Sequence, residues 1–454
     1  MQRNRYFYGE DQRFMRFLIP EGLRVLELGC GTGDLLAALK PKQGVGIDFS
    51  PNILRIAHDR YPDFTFIEGD IEDPNTYTQL SGPFDVIVIS DTLGYLDNCD
   101  GMFNQLHRLC ERDTRLVIAH YNPLWQPLFF LAETLGLKMP QVHQNWLTMR
   151  DIENLLMLAD FQVIRREWWQ LIPRRLLGLG GLINRFIGTL PLIRHACVRN
   201  YTIVRSMHCA GFEAPLSATV LIPCRNEKGN IEAAIQRLPQ FCDDLEILFV
   251  EGGSQDGTLE EIHRVIAAYP ERDVKVLVQD GKGKGDAVRK GFAHAQGEVL
   301  IILDADLTVP PEVMPKFYQA ICTGKGELIN GSRLVYPMDD DAMRFLNSVA
   351  NEVFSWIFTW LLNQRFTDTL CGTKVLTQHH YQQIVRNRAY FGDFDPFGDF
   401  DLIFGASKLN LKVCEIPVQY AGRSYGETQI SRFRHGWLLL RMVVFAFRKL
   451  KVIT

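Results

Sequence analysis

Short apolar runs alternate with helical stretches along roughly the first 205 positions. RVLEL, GVGID, FTFIE, FDVIVIS and RLVIAH are near-continuous apolar segments. Such segments suit parallel strands buried on both faces. GDLLAALK and NILRIAHDRY between them read as helices, and FQVIRREWW and NYTIVR read as closing strands. SMHCAGFEAPLS, residues 206–217, lacks periodicity and reads as a linker. The alternation then restarts. SATVLIP, LEILFV, DVKVLVQ and EVLIIL are expected strands, with NEKGNIEAAIQRL, TLEEIHRVIAAY and GDAVRKGFAHA as the helices between them. Beyond Ser332 the chain turns helical and aromatic, as in RFLNSVANEVFSWIFTWLL at 344–362. The pattern predicts two α/β domains, residues 1–205 and 218–454, joined by 206–217.

Length agrees, since 454 residues suit two or three domains. The net charge of −4 exerts no pull toward nucleic acid. The ten cysteines are scattered with no C-x-x-C pair, which argues against zinc and a disulfide frame and suits a reducing cytoplasm. The start, MQRNRYFYGEDQRF, has no signal-peptide character, and no charge-free apolar run is long enough to span a bilayer. Local charge is less even. Residues 170–205 hold six arginines and no acid, and residues 420–454 hold seven Lys or Arg against Glu427. Large apolar residues are interleaved in both stretches. They read either as helices lying in a membrane interface or as core-packing helices with a basic face.

Two loops carry candidate chemistry. In ELGCGTG, after the first strand, Gly29, Gly31 and Gly33 follow a G-x-G-x-G spacing, which lets the backbone turn tightly and approach a ligand. Asp48 ends the second strand, where a carboxylate can accept both ribose hydroxyls. Asp70 follows the third, where it can meet an adenine amino group. Asp91, His120 and Tyr121 follow the fourth and fifth strands; each fits an acceptor-facing role or plain packing. In the second half LIILDAD ends on Asp304 and Asp306, expected to share one face of an extended segment and to reach one divalent cation that neutralises a diphosphate. Three other loops, PCRNEKGN, EGGSQDGT and DGKGKGD, precede it.

Residues 20–205 resemble class I S-adenosylmethionine-dependent methyltransferases, on ELGCGTG, Asp48 and Asp70. The resemblance implies a Rossmann-like sheet. It implies Glu27, Gly29, Gly31 and Gly33 around the methionine moiety, Asp48 at the ribose, and Asp70 with Ile71 at the adenine. A cofactor-binding or docking module without catalysis is the alternative.

From Ala218 onward the order of motifs resembles family 2 glycosyltransferases with the GT-A fold. The closest resemblance is to the dolichyl-phosphate mannose synthase and polyprenyl-phosphate glycosyltransferase type. PCRNE, DADLTVPPE, INGSRLV, FTDTLCGTKVL and DFDLIFGASKLNLKVCEIPVQYAGRSYGETQI carry it. It implies that Pro223, Arg225, Glu227 and Glu251 contact the nucleoside and that Lys284 and Gly285 lie by the nucleotide. Asp304 and Asp306 would bind Mg2+ or Mn2+, Arg333 and Arg423 would contact phosphates, and Asp399 and Asp401 would line the acceptor side. The chain departs from the family at Glu251-Gly252-Gly253-Ser254, where DDGS or DDNS is usual, and at Thr308, where a metal-binding glutamine is usual.

The expectation is therefore a bifunctional enzyme, peripheral on the cytoplasmic face of a membrane, using S-adenosylmethionine and a nucleotide sugar. A polyprenyl phosphate acceptor would need no general base. A sugar-hydroxyl acceptor would need Asp399 or Asp401 as the base.

Overall fold

The apolar runs bury both faces of two sheets in the computed structural model, which describes residues 4–136, 144–336, 345–391, 398–423, 425 and 432–452. Of the quoted stretch GRSYGETQI, residues 424 and 426–430 lie outside the described residues. Two compact units form: Met1–Ala210 with Leu450–Thr454, and Gly211–Lys449.

The first unit holds β1 (Arg24–Leu28), β2 (Gln43–Asp48), β3 (Thr65–Glu68), β4 (Val86–Ser90), β5 (Arg115–Tyr121), β6 (Phe161–Trp169) and β7 (Arg199–Ser206). Their order is β3-β2-β1-β4-β5-β7-β6, with β7 antiparallel to both neighbours. Successive strand residues point to opposite faces. Leu26, Ile87 and Ile118 thus pack one core, and Val25, Val86 and Val117 pack the other. The chain runs outward from β1 in one direction and resumes on its other side at β4. The carboxyl ends of β1 and β4 therefore flank a switch point, where open α/β sheets bind ligands.

The second unit holds β8 (Ala218–Cys224), β9 (Leu245–Glu251), β10 (Asp273–Val278), β11 (Val299–Ile302), β12 (Leu328–Ser332), β13 (Lys374–Thr377) and β14 (Val413–Pro417). Their order is β10-β9-β8-β11-β13-β12-β14. β13 runs antiparallel between β11 and β12, and β14 is parallel to β12. The first four match the expected strands. β12, β13 and β14 were not expected, because LINGS, KVLT and VCEIP are short and carry polar residues. Tertiary packing buries them: Lys374 and Asn330 are fully buried within β13 and β12.

Candidate functional sites

At the first switch point Gly29, Gly31 and Gly33 all adopt left-handed φ of 73°, 53° and 73°. A Cβ on Gly29 would lie 2.4 Å from Thr92 Oγ1, and one on Gly33 would lie 2.8 Å from Phe66 Cζ. At Gly31 no atom lies within 4 Å of that position, so the loop presents open backbone there. The Gly31 N–H donates to Asp48 Oδ2 at 2.9 Å and the Ser50 N–H to Asp48 Oδ1 at 3.0 Å. Each carboxylate oxygen keeps a lone pair for a ribose hydroxyl. Buried Glu27 stands on β1 beneath this loop, with Oε2 lacking any hydrogen-bond partner. Burial pushes Glu27 up to about 8 against a backbone hydrogen bond from Leu36, and Asp34 and Asp48 add to the push. Asp70 is exposed and caps its own turn, accepting from the Glu72 N–H at 2.9 Å, while buried Ile71 accepts from Tyr77 Oη–H at 2.6 Å through its carbonyl. An orphaned acid, an open glycine and a bound carboxylate fit a cationic, ribose-bearing ligand such as S-adenosylmethionine.

Arg199, fully buried at the start of β7, organises the rest of this edge. Its Nε donates to Asp11 Oδ1 at 2.9 Å, its Nη2 to Ser90 Oγ at 3.2 Å, and its Nη1 to Asp91. Tyr201 also donates to Asp11. The Arg199 guanidinium lies 4.7 Å from the Tyr121 ring centre. Arg199 therefore joins Asp91 and Tyr121 to each other. His120 plays a different part. Burial, with the charge of Arg199, pulls it down to about 3. Asp11, Arg199 and Tyr201 were not singled out from sequence. They lie on the first helix and last strand, and only the antiparallel β5–β7 pairing brings them to Asp91.

In the second unit four loops converge on Asp304. Lys284 Nζ lies 2.6 Å from Asp304 Oδ1 and 3.9 Å from Asp399 Oδ1. Buried Lys374 Nζ lies 3.5 Å from that same Asp399 oxygen and donates to the Cys371 carbonyl at 2.6 Å. A Cβ on Gly372 would sit 1.9 Å from Asp304 Oδ2, so only glycine lets the Cys371–Lys374 loop lie on this carboxylate. Gly285 also lies close to Gly398, whose Cβ would fall 2.8 Å from its Cα. Burial pushes Asp304 up, but the ammonium of Lys284, then that of Lys374 and the Arg333 guanidinium, hold it below the usual carboxylate range.

Asp306 does not continue an extended segment. Residues 305–306 form a turn, with Leu307 at φ 51°. The expected same-face alternation therefore does not apply, and Asp306 is drawn to different partners. Its Oδ1 accepts from the Thr308 N–H at 3.1 Å and hydroxyl at 2.7 Å, and its Oδ2 accepts from Arg423 Nη2 at 2.6 Å. The carboxylates of Asp304 and Asp306 and the Thr308 hydroxyl are hard oxygen donors of the kind Mg2+ and Mn2+ take.

The loops expected at the nucleoside are tied to one another, the Asn226 N–H donating to Ser254 Oγ at 2.9 Å and the Lys228 N–H to Asp256 Oδ2 at 3.2 Å. Glu227 is buried and accepts from Asn230 Nδ2 at 2.7 Å; burial raises it above the ordinary value. Glu251, buried at the end of β9, accepts from the Ser254 N–H at 2.5 Å; against its burial, bonds from Ser254 and Gly253 hold it low. Pro223 is half-buried at the end of β8, and Arg225 is exposed beyond it. Tyr425 covers Gly229, and its hydroxyl donates to Asp256 Oδ2 at 3.4 Å. Arg333 is gripped by buried Asp368, Nε to Oδ2 at 2.6 Å and Nη2 to Oδ1 at 2.8 Å. Asp399 and Asp401 part company. Asp401 pairs with Arg388, Nε to Oδ2 at 3.0 Å, on the helix Gln378–Phe391. Lys374 and Asp368 went unassigned in the sequence, although both lie within FTDTLCGTK.

Each of the two sheets thus presents one candidate ligand edge. Residues 1–166 match the family model for a methyltransferase domain, and residues 219–391 match glycosyl transferase family 2. The N-terminal part of the chain is thus similar to methyltransferase domains and the C-terminal part to family 2 glycosyltransferases. It is 36% identical to a dolichol-phosphate mannosyltransferase of Pyrococcus furiosus over 26% of this chain and 34% of that one. It is 27% identical to the glycosyltransferase AglJ of Haloferax volcanii over 50% of this chain and 70% of that one. The aligned stretch spans about a third of the first of these relatives. Solved structures with similarity include an S-adenosylmethionine dependent methyltransferase from Mesorhizobium loti (19% identity, 42% of this chain and 95% of that one, TM-score 0.32). Another is glucosyl-3-phosphoglycerate synthase from Mycobacterium tuberculosis (16% identity, 54% of this chain and 83% of that one, TM-score 0.39).

Proposed function

We propose that this protein is a bifunctional transferase in glycan or glycolipid synthesis. The first unit moves a methyl group from S-adenosylmethionine to an acceptor. The second moves a sugar from a nucleotide sugar to polyprenyl phosphate with Mg2+ or Mn2+. The observation that carries this reading is the convergence of Lys284, Asp304, Gly372, Lys374 and Asp399 from four separate loops.

In the first unit S-adenosylmethionine would supply a methyl group on a positively charged sulfur. Asp48 would hold the ribose, the Gly31 backbone would lie against the ligand, and Glu27 would face its cationic end. Asp70 and Ile71 would frame the adenine. In the second unit Asp304, Asp306 and Thr308 would hold the divalent cation, which neutralises the diphosphate. Pro223, Arg225, Glu227 and Glu251 would frame the nucleoside. Arg423, beside Asp306, and Arg333, seated on Asp368, would meet the phosphates. Both candidate bases are committed to ion pairs, Asp399 with two lysines and Asp401 with Arg388. That supports an acceptor that arrives already ionised, and positioning with charge stabilisation as the source of rate.

A peripheral membrane location has support in the helix Arg432–Leu450. Trp437, Leu440, Arg441, Val444 and Arg448 are exposed at helical spacing on one face, while Leu439, Met442 and Ala446 are buried on the other. Trp360 packs on Phe447 with ring centres 5.7 Å apart. No helix among the described residues is long and apolar enough to cross a membrane. All ten cysteines are free thiols, which suits the cytoplasmic face.

The test is sugar transfer by the purified protein with Mn2+, radiolabelled nucleotide sugars and membranes containing polyprenyl phosphate. A lipid-extractable product labile to mild acid is expected. Label confined to water-soluble glycan would overturn the polyprenyl acceptor. Calorimetric binding of S-adenosylhomocysteine tests the first unit, and its absence would end the methyltransferase reading.

A further inference from the structure

The methyl acceptor is unnamed by the glycine loop, but the surface beside it carries information. The helix Gln126–Thr134, QPLFFLAET, follows β5 directly, and none of its residues is buried. Leu128, Phe130, Leu131 and Leu135 are all exposed, with Leu124 just before them. A second apolar surface runs through residues 176–192, where Leu177 is fully exposed and Leu192 is 87% exposed. The two stretches are stapled together at their roots. Asn122 Nδ2 donates to the carbonyls of His195 at 2.8 Å and Cys197 at 2.9 Å, and Trp125 Nε1 donates to the Ala196 carbonyl at 2.9 Å.

The second stretch is an ordered surface with a polar anchor. Buried Asn184 accepts from the Ile172 N–H at 2.7 Å and donates to the Ile172 carbonyl at 3.0 Å and to Tyr6 Oη at 3.4 Å. Exposed apolar area on this scale marks an interaction surface. Its charge identifies the partner. Arg174, Arg175, Arg185 and Arg194 punctuate the second stretch without an acid, and the first stretch holds the single acid Glu133. Apolar side chains interleaved with arginine suit an anionic phospholipid surface.

This surface leads to the ligand edge through aromatic side chains. Phe129 lies 5.3 Å from Tyr121 and 5.8 Å from Trp146, ring centre to ring centre. Phe7 stacks on Tyr121 at 6.0 Å. Tyr121 in turn covers Arg199, which holds Asp91, and the next residue, Thr92, packs on Gly29 of the glycine loop. From the exposed leucines to the glycine loop these contacts run apolar outside and charged within.

We infer that the first unit docks on an anionic membrane through residues 124–135 and 176–192, and that its methyl acceptor is a lipid-anchored amphiphile whose polar head enters past Tyr121. The inference rests on the methyltransferase reading above and deepens it by naming the acceptor class.

Hydrogen exchange of the full-length protein, with and without phosphatidylglycerol vesicles, reads each unit separately. Slowed exchange in peptides covering 124–136 and 174–192 is expected. Protection confined to 432–450 would overturn the inference while leaving the sugar-transfer reading intact. No protection at either first-unit stretch overturns it whatever else is found. In parallel, methyl-labelled S-adenosylmethionine is incubated with the protein and membranes. Label is expected in the organic phase; label solely in water-soluble material overturns the amphiphile. The double variant Phe130→Glu, Leu177→Glu is expected to cut incorporation about tenfold or more while S-adenosylhomocysteine affinity holds within about twofold. Incorporation unchanged in that variant overturns the docking role. Failure of the unmutated protein to bind S-adenosylhomocysteine would instead sink the methyltransferase reading itself.

Discussion

The two ligand edges use charge in opposite ways. At the first, Asp48 accepts from two backbone N–H groups and Glu27 is held toward its neutral form by burial, so no cation is spent on either. Buried Arg199, on β7, is instead shared between Asp11 and Asp91. At the second, every acid of the central cluster already has a cation: Asp304 has Lys284, Asp306 has Arg423, and Asp399 has Lys284 and Lys374. A cationic cofactor needs carboxylates without competing cations. A diphosphate with its metal needs both signs side by side, so that the metal can take the acids and the phosphates can take the bases. On the proposed function, the ligand's own charge would account for which edge is prepaired.

The strongest way to break this comparison is to remove the acid that the metal would need. Asp306→Ala is expected to lower sugar transfer by about three orders of magnitude or more, leaving S-adenosylhomocysteine binding unchanged. Surviving transfer in a filter assay would show that the second edge does not depend on that carboxylate. Arg199→Met asks the same of the first edge. It strands Asp11 in the interior, and removal of one partner from a buried pair costs about 3–5 kcal/mol. A scanning-calorimetry trace is expected to show one of the two unit transitions shifted down and the other in place.

Smaller effects sharpen the contrast. Gly372→Ala drives a methyl into Asp304 and is expected to cost about a hundredfold in sugar transfer, with an unchanged far-ultraviolet spectrum. Asp48→Asn keeps the shape but loses the charge at the ribose, for about a tenfold weaker S-adenosylhomocysteine affinity by calorimetry. The smallest effect is a pH slope. The folded state holds the Glu27 proton up to about 8, while the unfolded chain releases it near the ordinary glutamate value. Its contribution is full at low pH and is lost as pH rises through about 8. Melting temperatures of Glu27→Gln between those limits are expected to fall less steeply with pH than those of the unmutated protein. Parallel curves would remove Glu27 from the account.

Much of this was legible in advance. Strands whose residues are buried on both faces announce themselves as continuous apolar runs, and β1–β5 and β8–β11 were each read that way. The glycine spacing at 29–33, Asp48 at a strand end and the Asp304–Asp306 pair were visible because each sits where a strand stops. What stayed hidden was of two kinds. β12–β14 are too short and too polar to carry a period, and only pairing along the sheet, β13 on β11, β12 on β13 and β14 on β12, makes them strands. Partnerships across long separations left no local mark: Arg199 with Asp11, 188 residues away, and Arg423 with Asp306, 117 residues away.

The sequence by itself therefore determined the two α/β halves, the order of their loops and the residue types at the strand ends. These follow from hydrophobic periodicity and backbone freedom, which act over a few neighbouring residues. The tertiary structure alone decided which carboxylate faces which cation. It also left the Gln126–Thr134 helix without a core to bury into. Charge pairing and burial depend on distance in space, and sheet order, with β7 returning antiparallel beside β5 and β13 beside β11, sets that distance.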